Sequence, residues 1–526
     1  MTNSLWLTHR EPIKTDLFVP DDTSDVIVVG AGLTGLTTAL LLRRAGLKVT
    51  VVEARSIGAV TTGHTTAKLS VLQGTILSDM RKHFSQEIVN AYVQANLEGQ
   101  AWLLRYLEER KVAVQQRDAF TYTTDPSRIK LLEHEIRIAQ NAGLDVHWAA
   151  TEIGLPFPVQ AALRLKDQAQ FDPMDVLETL ASDLRSRGVR IVEGVRVRKA
   201  TSGSFTALHT DKGTNRAQHV VLATGFPILD RGLYFAKLTH SRSYVAAYRM
   251  PSASGSLPEN MYLSVDQPTR SLRTVPQHNA PDLLLVGGND HPVGKRISES
   301  EQLKDLDDWA QQHFPGVQAV HQWSAQDYQS ANMVPFVGKL PRSSGNIHVA
   351  TGYNKWGMTN AVAAALQISS NILGGSIPWA ETLSHRITSP RDLAEGAKFN
   401  AGVARKLLTG WNSAIFAQEA SIQDSTRDAA KSSNPVDGPS DEPKTEQGSN
   451  GWVRRQGLKP VAISTTAGKT CQVSAVCSHL GGILSWNDAE ESWDCPLHGS
   501  RFSPTGQVLE GPATQDLKTI SPDESS

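Results

Sequence analysis

The sequence of 526 residues contains only three cysteines, and all three lie at position 471 or beyond. So small and odd a number excludes a disulfide-stapled scaffold and favours a reducing compartment. No run of 18 uncharged apolar residues occurs, so the sequence predicts no transmembrane segment. The 52 basic and 53 acidic side chains nearly cancel, which removes any overall attraction to nucleic acid. The charged N-terminus does not resemble a signal peptide, and we expect a cytoplasmic protein.

Regular patterns begin at residue 25, after an arm over residues 1–24 that we expect to be irregular. An apolar run at 26–29, a helical pattern at 33–44 and a second apolar run at 49–52 predict a β-α-β unit. The other predicted elements are helices over 85–110, 175–187 and 359–373, a strand over 189–197, and antiparallel strands between 235 and 290.

The composition changes at about residue 421, where Ser, Pro, Asp and Gly replace apolar residues. Such a stretch cannot bury enough surface to offset its ordering entropy, so 421–450 is predicted to be a flexible linker. A helical extension is expected over 401–420. Short apolar strands resume after the linker, at 460–464 and 472–476, and predict a small β domain over 451–526.

A glycine motif follows the first predicted strand. Gly30, Gly32 and Gly35 have the spacing G-x-G-x-x-G, and a predicted helix begins within it. These glycines permit a tight turn, a close approach of the backbone to a pyrophosphate and close helix packing. Glu53 ends the second strand, where an acid can accept a hydrogen bond from a ribose hydroxyl. The motif in this setting predicts a dinucleotide site.

Four ordered segments resemble the glycine/D-amino-acid oxidase (DAO) family of FAD enzymes. They are DVIVVGAGLTGLTTALLLRRAGLKVTVVEA, QFDP with the later VRIVEGVRV, VVLATG, and IHVATGYNKWGMTNAVAAALQISSNIL. The resemblance implies FAD and a DAO/GR2-like fold over 25–400. This is an α/β Rossmann-like FAD-binding domain with an antiparallel-sheet substrate domain inserted at roughly 80–170 and 235–330. Beyond the glycine motif and Glu53, it implies cofactor contacts at Val195, Ala223, Thr224, Gly225, Gly352, Gly357, Met358 and Thr359.

Three basic residues are the candidates for the substrate site. Lys68 and His64 lie in TTGHTTAK, which resembles a segment that covers the flavin in the sarcosine-oxidase-like branch of the family. Lys355 lies in the later glycine turn, where that branch holds a substrate carboxylate. The two lysines could bind an amino-acid-type anion, stabilise negative charge on the flavin, or be surface residues on loops. His64 could contact the flavin or be a polar loop residue.

No second G-x-G-x-x-G motif occurs, because Gly287-Gly288 lacks the spacing. A flavin reductase that uses pyridine nucleotide usually carries a second such domain. We therefore expect an organic substrate to give hydride directly to FAD. This chemistry needs orientation and exclusion of water more than acid–base groups.

Two Cys-His pairs lie near the C-terminus. Cys477-x-His479 and Cys495-x₂-His498 are separated by 15 residues, and the surrounding residues resemble a Rieske domain. The resemblance implies a [2Fe-2S] cluster held by these four side chains. A Cys₂His₂ zinc site is the alternative, although zinc fingers usually pair Cys with Cys and His with His.

The Rieske resemblance departs from the cytochrome-bc type at three positions. Gly482 and Leu497 occupy the sites of its two additional cysteines, so the loops must be held by packing. Ser500 matches a serine that donates to a cluster sulfur, whereas Phe502 replaces a tyrosine donor. We expect an intermediate reduction potential.

Together these features resemble bacterial FAD-dependent oxidoreductases with a C-terminal Rieske module. The predicted function is oxidation of a small amine or amino-acid-like substrate by hydride transfer to FAD. Electrons would then pass singly to the Rieske cluster and on to an external acceptor. One alternative is an oxygen-dependent amine oxidase whose Rieske domain tunes or docks. The other is a redox sensor with little turnover.

Overall fold

The structure is a computed structural model, and it describes residues 4–229, 231–251, 256–277, 280–293, 298–384, 407, 409, 411, 450–457 and 459–520. The chain divides into two compact units, Met1–Asn400 and Ala401–Ser526. The predicted helical extension and linker lie outside the described residues, apart from 407, 409, 411 and 450. No helix in the described ranges has both the length and the apolar composition needed to cross a bilayer.

The first unit alternates helices with strands, as its sequence pattern predicts. Its helices are α1 (Leu33–Arg44), α2 (Ile76–Arg81), α3 (Gln86–Glu109), α4 (Ile129–Asn141), α5 (Pro173–Ser186), α6 (Glu299–His313), α7 (Gly357–Ile372) and α8 (Pro378–Ser384). Its strands are β1 (Thr23–Val29), β2 (Val49–Val52), β3 (Lys68–Leu69), β4 (Gln115–Thr123), β5 (His147–Trp148), β6 (Ala161–Gln170), β7 (Arg190–Val192), β8 (Val197–Thr201), β9 (Thr206–Thr210), β10 (Thr214–Leu222), β11 (Leu238–Arg249), β12 (Met261–Ser264), β13 (Arg270–Val275), β14 (Leu283–Pro292), β15 (Gln318–Ser330), β16 (Phe336–Lys339) and β17 (Ile347–Thr351).

A parallel sheet forms the centre of the first unit, with the strand order β16-β17-β10-β1-β2-β7. Strands β17, β10, β1, β2 and β7 are parallel to their neighbours, and β16 is added antiparallel at one edge. The apolar side chains of α1, α5 and α7 pack with one face of this sheet in a single core. The parallel arrangement directs the carboxyl ends of five strands to one edge of the sheet.

A second, mostly antiparallel sheet has the order β15-β11-β14-β13-β12-β4-β6-β3. Among its described strands, only β4 and β12 are parallel neighbours. Ser271 of β13 lies opposite Gly287 of β14, and Val245 of β11 lies opposite Gly287 on the other side. An added methyl at Gly287 would be 3.6 Å from the Thr66 side chain, so this face of the sheet meets residues 61–68.

Two predictions of local structure were wrong. The predicted strand over 189–197 is divided into β7 and β8, because Gly194 adopts a φ of +63° and turns the chain. The N-terminal arm is not wholly irregular. It contains a 3₁₀ helix, Leu5–Leu7, and Trp6 is only 2% exposed.

The described residues of the second unit form two small antiparallel sheets. One comprises β18 (Asn450–Gln456), β19 (Lys459–Thr466) and β20 (Lys469–Ser474). The other comprises β21 (Ser485–Asn487), β22 (Ser492–Asp494), β23 (Arg501–Phe502) and β24 (Val508–Glu510). Their core includes the side chains of Cys477 and Cys495, so two of the four candidate metal ligands are buried.

Candidate flavin and iron–sulfur sites

The twelve predicted cofactor residues lie at or just beyond the carboxyl ends of five neighbouring parallel strands. The glycine motif follows β1, Glu53 follows β2, and Val195 lies three residues beyond β7. Residues 223–225 follow β10, and residues 352 and 357–359 follow β17. This edge is where open α/β sheets bind ligands.

The glycines of the motif are required by close contacts. Gly30 has a φ of +106°, and a methyl group there would lie 2.4 Å from the carbonyl oxygen of Ala223. A methyl group on Gly35 would lie 1.9 Å from the carbonyl oxygen of Gly30. The loop is therefore pressed against both α1 and the Ala-Thr-Gly stretch. Gly32 offers no side-chain cap to the N-terminus of α1, so amide groups of its first turn other than that of Leu33 are available to phosphate oxygens.

Glu53 is held at the edge of the same loop. Its Oε2 accepts a hydrogen bond from the Ala31 amide at 2.8 Å, and its Oε1 accepts one from the Arg55 amide at 2.8 Å. Burial raises the pKa of Glu53 although both amides oppose that shift. Each carboxylate oxygen has a second lone pair, so the predicted contact with a ribose hydroxyl remains compatible with this arrangement.

A buried polar network lies behind the first turn of α7. Thr359 Oγ1 donates to Asn96 Oδ1 at 2.5 Å, and Gln73 Nε2 lies 3.2 Å from both side chains. Tyr92 donates to Gln73 Oε1 at 2.6 Å. The network joins α3 to the helix start that the family resemblance places beside the flavin.

Residues 61–68, which we call the threonine-rich segment, run between the glycine motif and the second sheet. Leu33 N donates to Thr62 Oγ1 at 3.3 Å, and Thr61 Oγ1 donates to the Gln326 carbonyl at 3.2 Å. His64 Nδ1 lies 2.7 Å from the Val60 carbonyl, so that ring nitrogen is used within the segment.

Lys68 is half-buried. Its ammonium lies inside the protein and donates to the Tyr262 carbonyl at 2.9 Å and to Ser271 Oγ at 2.5 Å. Burial, with the nearby charge of Arg273, lowers the pKa of Lys68 to about 7. Among the described residues no carboxylate lies within ion-pair distance of this lysine.

Lys355 has a different environment from Lys68. It adopts a φ of +72°, and its Nζ lies 3.0 Å from Ser243 Oγ and 3.2 Å from Asp290 Oδ2. Burial favours a higher pKa for Asp290, but the charge of Lys355 holds that pKa below its usual range. Lys68 is anchored on β12 and β13, whereas Lys355 is anchored on β11 and β14. The structure therefore holds the two lysines on separate strands.

Arg273 is a buried residue that sequence reasoning missed. Its Nη1 donates to the carbonyls of Thr66 and Ala67 at 2.9 and 2.8 Å. Burial lowers its pKa to about 9, although Asp172 opposes that shift. The sequence signal for its burial was the alternation of side chains along β13, because Ser271, Arg273 and the apolar Val275 lie on the same face of that strand.

The two Cys-His pairs lie on loops with matching backbone hydrogen bonds. Cys477 N donates to the Gly482 carbonyl at 2.8 Å, and Cys495 N donates to the Ser500 carbonyl at 2.8 Å. In both loops the cysteine carbonyl accepts from the amide four residues later, at 3.1 and 3.0 Å. Each loop therefore presents one cysteine and one histidine from the same turn.

The four candidate ligands converge in a manner that fits a two-iron cluster. The rings of His479 and His498 lie 5.1 Å apart between centroids, and the thiols of Cys477 and Cys495 share a hydrogen bond. That bond lowers the pKa of Cys477 and raises the pKa of Cys495, while burial lowers the pKa of His479 to about 4. In the described part of the chain no three His, Cys, Asp or Glu side chains meet around a single ion. A [2Fe-2S] cluster needs only two protein ligands at each iron.

The two ligand loops are held together by packing rather than by a disulfide bond. A methyl group on Gly482 would lie 2.8 Å from Leu497 and 3.0 Å from Cys495 Sγ, so the two loops are in direct contact. The Ser500 hydroxyl donates towards Cys477 while its oxygen accepts from Ala513 N at 3.0 Å. Phe502 is fully buried. Trp411, which the sequence did not single out, donates to the Gly481 carbonyl at 3.1 Å.

Solved structures with the same fold as the first unit belong to flavoenzymes. The glycine oxidase of Geobacillus kaustophilus matches 70% of this chain and all of its own, with a TM-score of 0.57 and 19% identity. The L-proline dehydrogenase of P. horikoshii matches 69% of this chain and 97% of its own, with a TM-score of 0.56 and 18% identity.

Sequence comparisons cover both units. The protein YhfW of Bacillus subtilis (strain 168), which its name describes as a Rieske 2Fe-2S iron-sulfur protein, is 29% identical over 98% of this chain and 97% of its own. The chloroplastic cytochrome b6-f complex iron-sulfur subunit of Oryza sativa subsp. japonica is 40% identical over 81 residues, which are 14% of this chain and 36% of that protein.

Residues 25–370 match the family model of the FAD dependent oxidoreductases (DAO), and residues 439–521 match that of the Rieske [2Fe-2S] domain. The first domain binds FAD and the second binds a [2Fe-2S] cluster. This chain belongs to the DAO family of FAD-dependent oxidoreductases and carries a C-terminal Rieske domain.

Proposed function

We propose that this protein oxidises a small amino-acid-like substrate at the flavin and passes the electrons through the Rieske centre to an external acceptor. The observation that carries the proposal is a pair of cations, the half-buried Lys68 and the fully buried Arg273. Among the described residues neither has a carboxylate within ion-pair distance, although the more distant Asp172 stabilises the charge of Arg273. A buried positive charge without a counter-ion is costly, and an anionic ligand would relieve that cost.

The chain's own residues would bind and orient the substrate. Lys68 is the last residue of the threonine-rich segment, and its side chain extends to the second sheet. There its Nζ can attract a carboxylate. Lys355 is partly neutralised by Asp290, so Lys68 is the better candidate for this role. FAD supplies the two-electron acceptor when bound, and the protein contributes orientation and exclusion of water.

Two further observations support an organic electron donor. Gly287 and Gly288 lie in the middle of β14, and methyl groups there would meet neighbouring strands, so this pair does not form a nucleotide-binding loop. The fold neighbours are named for the oxidation of glycine and proline, and we carry that substrate class to this chain as part of the proposal.

An anaerobic panel of amino acids and their decarboxylated amines tests the proposal. Flavin absorbance reports reduction of FAD, and electron paramagnetic resonance reports reduction of the cluster. We expect one amino-acid-like compound to bleach the flavin and then produce the cluster signal. Bleaching without that signal would exclude the relay. Hydrogen peroxide formed in stoichiometric amount and unaffected by loss of His479 would favour an oxygen-dependent oxidase. No reduction by any compound would favour a redox sensor.

The role of Lys68 is tested with the substrate that the panel identifies. Lys68→Met should reduce kcat/KM for the carboxylated substrate roughly 10- to 100-fold, the range expected for a lost charged hydrogen bond. The decarboxylated amine should be affected much less. Lys304→Met is the matched control, because Lys304 is exposed and paired with Asp308 on the surface of α6. An equal loss with both substrates would remove Lys68 from carboxylate recognition.

A further inference from the structure

The N-terminal arm is part of the first unit's interior although it precedes the matched family region, residues 25–370. Ser4 and Trp6 are each only 2% exposed. Arg10 extends the attachment, because its guanidinium lies 2.5 Å from Asp172 and 2.8 Å from Asp175. The arm is therefore anchored at several points rather than lying on the surface.

The arm holds the backbone of the threonine-rich segment. Ser4 Oγ donates to the Gly63 carbonyl at 2.6 Å, and Trp6 Nε1 donates to the Thr65 carbonyl at 2.6 Å. Trp323 Nε1 donates to the intervening His64 carbonyl at 2.8 Å. Since Arg273 binds the carbonyls of Thr66 and Ala67, five successive carbonyls, 63–67, accept hydrogen bonds from side chains outside the segment.

Trp6 also supports Arg273 directly. The guanidinium carbon of Arg273 lies 5.4 Å from the centre of the Trp6 ring, which is within the range of a cation–π interaction. A desolvated interaction of this kind offsets part of the cost of burying the guanidinium. Trp6 therefore acts on the segment twice, through its own hydrogen bond and through Arg273.

The segment in turn touches the start of the nucleotide-binding helix. Leu33 N donates to Thr62 Oγ1, and a methyl group on Gly32 would lie 3.1 Å from the same oxygen. Gly63 N donates to the Gly58 carbonyl at 3.0 Å, and Gly58 N donates to the Ala31 carbonyl at 3.3 Å. A displacement of the segment is thus transmitted to the glycine motif through three hydrogen bonds.

We propose that Ser4 and Trp6 are positioning residues for FAD, which act by fixing the backbone of the threonine-rich segment against the glycine motif. The arm is then a functional extension of the flavin site. This inference depends on FAD binding and not on the identity of the substrate, so it stands or falls separately from the proposed function.

The test uses the full-length protein with its FAD removed and then titrated back. Trp6→Phe keeps an aromatic ring over Arg273 but loses the donor to Thr65, and Ser4→Ala loses the donor to Gly63. We expect each variant to bind FAD roughly three- to tenfold more weakly, as the loss of one buried hydrogen bond predicts. Trp6→Leu removes the ring as well and should bind FAD more weakly than Trp6→Phe.

Leu17→Ala is the matched control, because Leu17 belongs to the same arm and is 87% exposed. The visible circular dichroism of the flavin at saturating FAD separates positioning from simple loss of stability, since it reports the surroundings of the bound ring. We expect it to change in Trp6→Phe and not in Leu17→Ala, while the cluster signal of the second unit stays constant. Unchanged FAD affinity and dichroism in Trp6→Phe and Ser4→Ala would overturn the inference, as would an equal effect in Leu17→Ala.

Discussion

Lys68 illustrates how far an individual side chain can depart from what its sequence position indicates. It follows four threonines, a glycine and a histidine in a polar stretch, which is typical of an exposed loop. Its ammonium is nevertheless buried against a backbone carbonyl and a serine. The ammonium contacts β12 and β13 of the second sheet, and these two strands lie some 200 residues later in the sequence.

The altered pKa of Lys68 predicts a pH-dependent stability. Folding lowers this pKa from 10.5 to about 7, mainly through burial, so the full cost of the buried charge is present below pH 7. Between about pH 7 and 10.5 the unfolded chain binds more protons, and the stability of the native protein rises with pH. Lys68→Met lacks this dependence. We therefore expect the thermal midpoint of the variant, relative to that of the native protein, to fall by a few degrees between pH 7 and 9. The corresponding change in the relative free energy of unfolding is up to roughly 1.4 kcal/mol per pH unit.

Calorimetry of the two proteins at matched ionic strength measures this difference. The exposed Lys304→Met variant should instead follow the native profile across the same range. Parallel profiles for Lys68→Met and the native protein would show that folding does not lower the pKa of Lys68.

Ser500 provides a second prediction at the scale of single residues. Its hydroxyl donates towards the Cys477 sulfur, and such donors stabilise the reduced, more negative cluster. Ser500→Ala should lower the midpoint potential by roughly 20 to 65 mV, which corresponds to about 0.5–1.5 kcal/mol for one electron. Redox titration followed by electron paramagnetic resonance measures the shift. Ser478→Ala is the matched control, since the Ser478 hydroxyl donates to the Gln515 carbonyl instead. A shift of the same size in both variants would contradict a specific role of Ser500.

At the scale of elements, the sequence predicts best where local pattern and tertiary environment agree. Helix α1 and strand β2 begin and end where the apolar spacing and Gly46 indicate. The N-terminal arm was missed because its anchors are long-range, from Ser4 and Trp6 to residues 59 positions later. A tryptophan between two leucines, Leu5 and Leu7, was the local signal. The site residues were located by their position at strand ends, whereas their contacts depend on the packing of both sheets.

The contact between α3 and α7 yields a prediction about element packing. A methyl group on Gly99 would lie 2.6 Å from the Thr359 carbonyl and 3.0 Å from Ala363 N. Gly99→Ala gains up to about 1 kcal/mol in helix propensity but incurs an overpacking cost of about 1–3 kcal/mol. We expect lower thermal stability and weaker FAD binding, because the displaced turn of α7 carries Gly357 and Thr359.

Thermal unfolding and FAD titration measure the two effects of Gly99→Ala. Gln94→Ala, at an exposed position of the same helix, should be close to neutral in both assays. Stabilisation by Gly99→Ala would mean that the two helices can separate without cost, and that α3 does not position the start of α7.

At the scale of the whole molecule, two domains with different electron capacities are joined in one chain. FAD takes two electrons and a [2Fe-2S] cluster takes one, so the chain has an odd total capacity. A centre with two histidine ligands has a potential of roughly −150 to +300 mV, well above that of an all-cysteine centre at about −400 mV. The ligand set therefore favours acceptance of an electron from a reduced flavin.

The electron capacity leads to a prediction that separates the relay from the oxidase alternative. Under anaerobic conditions the native protein should consume about 1.5 equivalents of a two-electron substrate before reduction is complete. The double variant Cys477→Ser/Cys495→Ser loses the thiolate ligands and should consume about 1.0 equivalent, with flavin bleaching at an unchanged rate. Cys471→Ser is the matched control, because this thiol lies on β20 outside the ligand loops, and it should retain the native value. Anaerobic titration monitored by absorbance measures all three proteins. If the native protein also stops at about one equivalent, the cluster does not receive the substrate's electrons, and the Rieske domain has a tuning or docking role.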